Sequence, residues 1–134
     1  MKRLLLGAVV LALVTVLLAV GHLAFIEIGR EVVTLRTPRP GGGWQETRLW
    51  IVDDDDGSAW LHSGGRSWWE RVGGDPIVEV ERRGEVRRYR AHAVPGPHPQ
   101  IDRLLREKYG LADRWVRFLS PDNEGTLVVR LDPL

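Results

Sequence analysis

The pattern of apolar and polar positions changes character once along this chain. From Leu4 to Ile26 (LLLGAVVLALVTVLLAVGHLAFI) no residue is charged, and only Thr15 and His22 carry polar side chains. As a helix the run is roughly 34 Å long, enough to cross a hydrocarbon layer of about 30 Å. Beyond it, short stretches alternate between apolar and polar residues, and these predict strands. Glu31–Thr37 (EVVTLRT) is rich in β-branched residues and stops at Pro38. Gln45–Asp53 sets Thr47, Leu49 and Ile51 against Arg48, Trp50 and Val52, a second strand. The DDDDG run to Gly57 then connects to a third strand over Ser58–His62.

Arg66–Val72 has room for two helical turns before Gly73-Gly74. Pro76–Glu81 and Glu85–Val94 predict a fourth and a fifth strand joined by Arg83-Gly84. A two-residue connection sets Val78 opposite Tyr89 and Glu79 opposite Arg88. The first pair buries apolar area and the second matches charge, and a one-residue slip would lose both. The proline-rich linker VPGPHP follows. Pro99 suits the first turn of a helix carrying Ile101, Leu104, Leu105 and Lys108, which Gly110 ends. A second short helix is expected to present Leu111, Trp115, Phe118 and Leu119 on one face and to stop before Pro121. Thr126–Leu131 makes a last strand. Six strands with short helices after the third and the fifth predict an α+β chain: a membrane helix, then a small barrel with helices on its side. The expected division is 1–3 as a basic start, 4–26 as a transmembrane anchor and 27–134 as the barrel domain.

The length of the apolar run favours an uncleaved single-pass anchor over a cleaved signal peptide, although Ala19-Val20-Gly21 offers small residues for cleavage. Lys2 and Arg3 place the amino terminus in the cytoplasm and the barrel domain outside it; Arg30, Arg36 and Arg39 weigh against that orientation. The 19 Lys and Arg nearly balance 18 Asp and Glu, which does not suit a nucleic-acid binder. Arg82, Arg83, Arg87, Arg88 and Arg90 lie among Glu79, Glu81 and Glu85, so strand pairing accounts for them better than a nucleic acid does. The chain has no cysteine, which excludes disulfides and thiolate metal sites. The aspartate run lacks calcium-loop spacing: counting back from Gly57 puts Val52 at the first ligand position, and Ser63 stands where the closing glutamate belongs. A solvated turn is the better account. No spacing links His62, His92 and His98 to a zinc ion or a nucleophile, so neither a metal site nor a catalytic residue is assigned.

The segment LHSGGRSWWE holds the strongest candidate chemistry. A strand runs straight into Ser63-Gly64-Gly65, then Arg66, and a helix beginning near Ser67. Glycines allow close approach to the main chain, and a helix start offers free N–H groups to an anion. Arg66 and the hydroxyls of Ser63 and Ser67 add donors, and Trp68 or Trp69 could cover a planar ring. The competing account has Ser67 merely capping the helix and both tryptophans filling core.

Taken in order, VVTLRT, ETRLW, WLHSGG, SWW, GDPIVEVERRGE and REKYG resemble the split β-barrel proteins related to deazaflavin (F420)-dependent nitroreductases and flavin-binding pyridoxamine-phosphate-oxidase-like proteins. The resemblance covers most of residues 30–131. It implies F420 or FMN as cofactor, with Ser63, Gly64, Gly65 and Ser67 as donors, Arg66 and Arg39 as phosphate partners, and Trp68 or Trp69 as ring cover. It further implies hydride transfer to a quinone-like or nitroaromatic acceptor, with no acid, base or nucleophile supplied by the protein, and a homodimer. The pattern departs in two places. Thr37–Trp44 (TPRPGGGW) replaces a basic GRKSG-type segment, leaving Arg39 alone to substitute, and Arg48 replaces the proline of a TPL-like triplet. A cofactor-free binding or assembly module is the alternative.

Overall fold

The computed structural model describes residues 2–63, 74, 76–123 and 126–134. The chain divides into two compact units, Met1–Arg30 and Glu31–Leu134. The first is helix α1, Lys2–Glu27. Its apolar side chains are exposed, and the helix is long and apolar enough to cross a membrane. Thr15, the hydroxyl within it, donates to the Leu11 carbonyl at 2.9 Å and so carries its own acceptor.

The second unit is a closed antiparallel barrel. Its strands are β1 (Val32–Pro38), β2 (Trp44–Asp53), β3 (Ala59–Ser63), β4 (Ile77–Arg82), β5 (Glu85–Pro95) and β6 (Leu127–Pro133). They close in the order β1-β2-β3-β6-β5-β4. Helices α2 (Pro99–Tyr109) and α3 (Leu111–Leu119) connect β5 to β6. All six expected strands are present within two residues of their expected ends.

Period-two alternation builds the interior. Val33, Leu35, Ile51, Leu61, Val78, Val80, Ala91, Val129 and Leu131 point inward from all six strands and fill it. The β4–β5 register is the expected one, with Val78 opposite Tyr89 and Glu79 opposite Arg88; the Arg88 guanidinium meets Glu79 at 3.2 Å. Arg83 (φ 54°) and Gly84 (φ 80°) both take positive φ, the backbone that a two-residue hairpin turn needs to match strand twist.

A second apolar layer lies outside the barrel. Ile101, Leu105 and Tyr109, at helical spacing along α2, pack on Val52 and Val128, with Trp50, Trp60 and Leu104 at the margin. So α2 covers the outer wall of β2, β3 and β6. Gly110 takes a positive φ (54°) between α2 and α3, a backbone that suits glycine, and its N–H closes α2 on the Arg106 carbonyl.

Helix α3 carries the expected apolar stripe. Leu111, Trp115, Phe118 and Leu119 do share one face, but that face is exposed. The buried residues are Ala112 and Asp113. The physical reason is a charge cluster: Arg117, one turn after Asp113, bonds it at 2.9 Å and also meets Asp102 of α2 at 3.0 Å. A buried carboxylate costs several kcal/mol unless paired. Seating Asp113 against Arg117, which also holds Asp102, turns the apolar stripe outward.

Candidate functional site

Antiparallel order assigns each loop to one end of the barrel. β1 and β3 finish at the same end, where β2 and β4 begin. Arg39, in the β1–β2 turn, and Ser63, the last residue of β3, therefore belong to one end of the barrel although 24 positions separate them. The Arg39 side chain is exposed, and its backbone closes the turn through N–H to Gly43 at 3.0 Å and C=O to Gly42 at 3.1 Å. Ser63 pairs with Leu127 of β6, so the strand is held to its final residue. Gly64, Gly65, Arg66, Ser67, Trp68 and Trp69 lie outside the described residues.

The opposite end, where Glu31 leads into β1, holds a cluster that the sequence does not announce. Arg82, the last residue of β4, bonds Glu31 through Nε and Nη2, both at 2.8 Å, and Asp53 at 2.7 and 2.8 Å. Arg83 meets Glu31 at 2.9 Å, and Lys108 of α2 meets it at 2.5 Å. The Arg82 hydrogen bond, helped by Lys108, holds the Glu31 carboxyl at about 2 although partial burial opposes this. The same guanidinium lowers Asp53, and the two carboxylates raise Arg82.

Tyr109 completes this end. The β1–β2 register puts Val32 opposite Trp50, so Glu31 would stand opposite Ile51 were β1 one residue longer. The Tyr109 hydroxyl occupies that place. It accepts from the Ile51 N–H at 3.0 Å, and the Glu31 and Ile51 carbonyls lie 2.7 and 2.9 Å from it to take its proton. The ring stacks on Trp50 at 4.4 Å and 6°. Burial pushes the phenol up to about 12. Two cavities of about 430 and 440 Å³ open at this end, both lined by Asp53, Arg82 and Arg83. Their charges are largely spent on one another: Glu31, Asp53, Arg82, Arg83 and Lys108 are mutually paired, and Arg87 meets Glu85 at 2.8 Å.

The three histidines of the barrel unit do not converge. His62 Nε2 lies 3.1 Å from Asp122, His92 Nε2 lies 3.2 Å from Asp132, and His98 Nε2 lies 3.0 Å from the Val94 carbonyl. His62, Asp102 and Asp122 do bring potential ligand atoms within 4.8 Å of one another. Arg117 already stands among them, however, bonded to Asp102, Asp113 and Asp122. The guanidinium supplies the positive charge that a cation would bring, so this is an ion-paired cluster joining α2 and α3 to β3. Burial opposes the charge on Arg117, but the three carboxylates raise its pKa nonetheless. The DDDDG turn is likewise engaged. Asp56 accepts from the Ser58 N–H at 2.9 Å and meets Arg130 at 2.8 Å, while Asp54 accepts from Gln100 at 3.2 Å.

Chemically, the described residues at the Ser63 end offer a strand terminus and one exposed guanidinium, donors suited to an anionic ligand on the outside of the barrel. Among the described residues, the inward side chains of all six strands pack together in one apolar cluster. No family model matches the sequence, and no curated protein matches it. Solved structures do. The heme storage protein HutZ of Vibrio cholerae is 15% identical, with a TM-score of 0.56 over 82% of this chain and 85% of that one. General stress protein 26 of Bacillus anthracis is 13% identical, with a TM-score of 0.55 over 84% and 87%. A protein described as a domain-swapped dimer is 19% identical, with a TM-score of 0.57 over 75% and 79%. The fold is thus a split barrel.

Proposed function

We propose that this chain is a membrane-anchored split-barrel protein that holds a flavin or deazaflavin, F420 or FMN, against the outer surface of its barrel. The anchor is residues 4–26, with the barrel domain outside the cytoplasm as a single-pass membrane protein. Topology carries the reading. The Arg39 turn and Ser63, the last residue of β3, share one barrel end, and Gly64-Gly65-Arg66 follow Ser63 in the sequence, so separate segments can address one phosphate. The apolar packing of the described inward residues favours a polar ligand on the outer surface.

The donor set fits such a cofactor: glycine amides at 64 and 65, hydroxyls at Ser63 and Ser67, guanidinium groups at Arg39 and Arg66, and an indole at 68 or 69 to lie over a ring. When bound, the flavin or deazaflavin supplies the hydride chemistry. The protein's part is to grip the phosphate, orient the ring and keep one ring face open for a lipid-soluble quinone or a nitroaromatic acceptor. A homodimer, in keeping with the dimeric structural neighbour, would allow a partner surface to close over the ring.

The test is a fluorescence titration of the full chain in detergent with FMN, F420 and, because one structural neighbour is a heme storage protein, hemin. Tryptophan quenching that saturates at micromolar cofactor and vanishes in an Arg66→Ala, Trp68→Ala double variant is the expected result. No response to FMN or F420 refutes the reading. It would instead favour a cofactor-free binding or assembly module, for which the mutual pairing of the charges lining the Glu31-end cavities already speaks.

A further inference from the structure

The apolar register of the barrel stops one step short of its Glu31 end. Leu49 and Ile51 on β2, Val78 and Val80 on β4, and Ala91 and Tyr89 on β5 all belong to the core or pack on it. Two positions further toward that end the same strands carry Asp53, Arg82 and Arg87. Residues two apart on a strand share a face, so the inward rows of these strands end in charge rather than in apolar side chains. The cavity of about 430 Å³ at this end has Val80 and Tyr89 in its lining beside Arg83, Arg87 and Glu85. That volume suits a small organic molecule, whose pockets run from roughly 300 to 1,000 Å³.

The charges around this cavity are not equally committed. Arg82 holds both Glu31 and Asp53, and Lys108 adds a second cation to Glu31 at 2.5 Å. Arg83 thus meets a carboxylate that already has two partners, and its side chain is 77% exposed. Arg87 meets Glu85, two residues away on the same strand, with side chains 70 and 68% exposed. Exposed pairs of this kind hold little and open readily. The Tyr89 hydroxyl has no hydrogen-bond partner among the described residues. The lining sets three guanidinium groups, Arg82, Arg83 and Arg87, against two carboxylates, Asp53 and Glu85. Arg83 is also a costly choice for its place. Among the described residues it alone, apart from glycines, takes a positive φ (54°). Asn, Asp or Gly fits the first position of such a turn with less strain, and an exposed third pair to Glu31 does not offset the difference. A strained residue beside an open cavity points to a side chain kept for what it contacts there.

We infer that this cavity binds a small aromatic carboxylate, with Arg83 and Arg87 taking the carboxylate and Tyr89 and Val80 receiving the ring. A guanidinium grips a carboxylate through two parallel hydrogen bonds. One such anion also neutralises the excess positive charge of the lining. Inorganic phosphate would meet the same arginines but make no use of the apolar floor. The site lies at the barrel end opposite Ser63 and does not depend on the flavin reading. The test uses the full chain in detergent micelles and 4-fluorobenzoate as probe, followed by its fluorine NMR linewidth, with empty micelles as the blank. Thermal melts of each variant show whether a chain that loses the probe is still folded.

The expected result is broadening that saturates. Arg87→Gln and Arg83→Asn should each weaken binding at least about tenfold, and Tyr89→Phe about threefold. Arg90→Gln removes an exposed arginine of β5 that does not line the cavity, and should change binding by less than about twofold. No saturable broadening overturns the inference, as does broadening that survives both Arg83→Asn and Arg87→Gln unchanged. Equal binding of neutral 4-fluorobenzyl alcohol also overturns it, since the charge would then play no part. So does displacement of the probe by equimolar phosphate, since the ring would then add nothing.

Discussion

Replacing Tyr109 by phenylalanine removes one oxygen and leaves the ring on Trp50. That oxygen takes the N–H of Ile51, a residue with no solvent exposure, and its proton goes to the Glu31 or Ile51 carbonyl. Loss of a typical net hydrogen bond costs about 1 kcal/mol, and an unsatisfied buried donor adds about 1–3 kcal/mol. The expected loss for Tyr109→Phe is thus about 2–4 kcal/mol. For a barrel unit of this size, at about 4 °C per kcal/mol, that lowers the midpoint of thermal unfolding by about 8–16 °C. The measurement is a melt of the full chain in detergent followed by tryptophan fluorescence, which reports Trp50 and Trp60 in the packed layer rather than α1. The variant should also lose a pH dependence. The folded phenol titrates at about 12 against 10 in the unfolded chain, so its stabilisation is complete below pH 10 and is lost as pH rises through 12. The alkaline fall in stability should be shallower in Tyr109→Phe. A variant within about 0.5 kcal/mol of the parent, with the same alkaline slope, would refute the bridging role of the hydroxyl.

Arg82→Met strips the guanidinium from both Glu31 and Asp53 and should cost about 3 kcal/mol, read by the same melt. Glu31, lowered from 4.5 to about 2, contributes stability above pH 4.5 that is lost as pH falls toward 2. Arg82→Met should therefore unfold at a higher pH in an acid titration, and an unchanged acid midpoint would contradict the assignment. Arg83→Asn keeps the left-handed turn residue (φ 54°) but with a side chain that tolerates it. Its pair with Glu31 is 77% exposed on the arginine side and worth at most about 1 kcal/mol. The melting midpoint should stay level or rise by up to about 4 °C; a fall of more than about 5 °C would give that pair a larger role.

The strands and α2 were legible because burial here follows simple periods. Val78, Val80, Tyr89 and Ala91 alternate, Ile101, Leu105 and Tyr109 recur every four residues, and Arg83-Gly84 fixes the register between two strands. The candidate site was legible only as composition. Antiparallel order puts Arg39 and Ser63 at one end, while Gly64 to Trp69 lie outside the described residues. The Glu31 cluster was not legible, since its partners are 51 and 77 positions away and carry no local mark. Nor was the orientation of α3. Its apolar periodicity was read correctly, but periodicity does not say which side faces in when Asp113 and Arg117 have Asp102 and Asp122 waiting on the other side.

The latch at Glu31 has a mechanical consequence. β1 is held to β4 through only three facing residues, Thr34, Arg36 and Leu35 between them, yet it is the strand on which any pull transmitted along the chain from its amino-terminal side would act. Such a load reaches Arg82, Arg83, Lys108 and Tyr109 before it reaches the β1–β4 ladder. Four side chains from three elements must then yield together before the strand can peel away one residue at a time, so the barrel is braced at the one point where tension enters it.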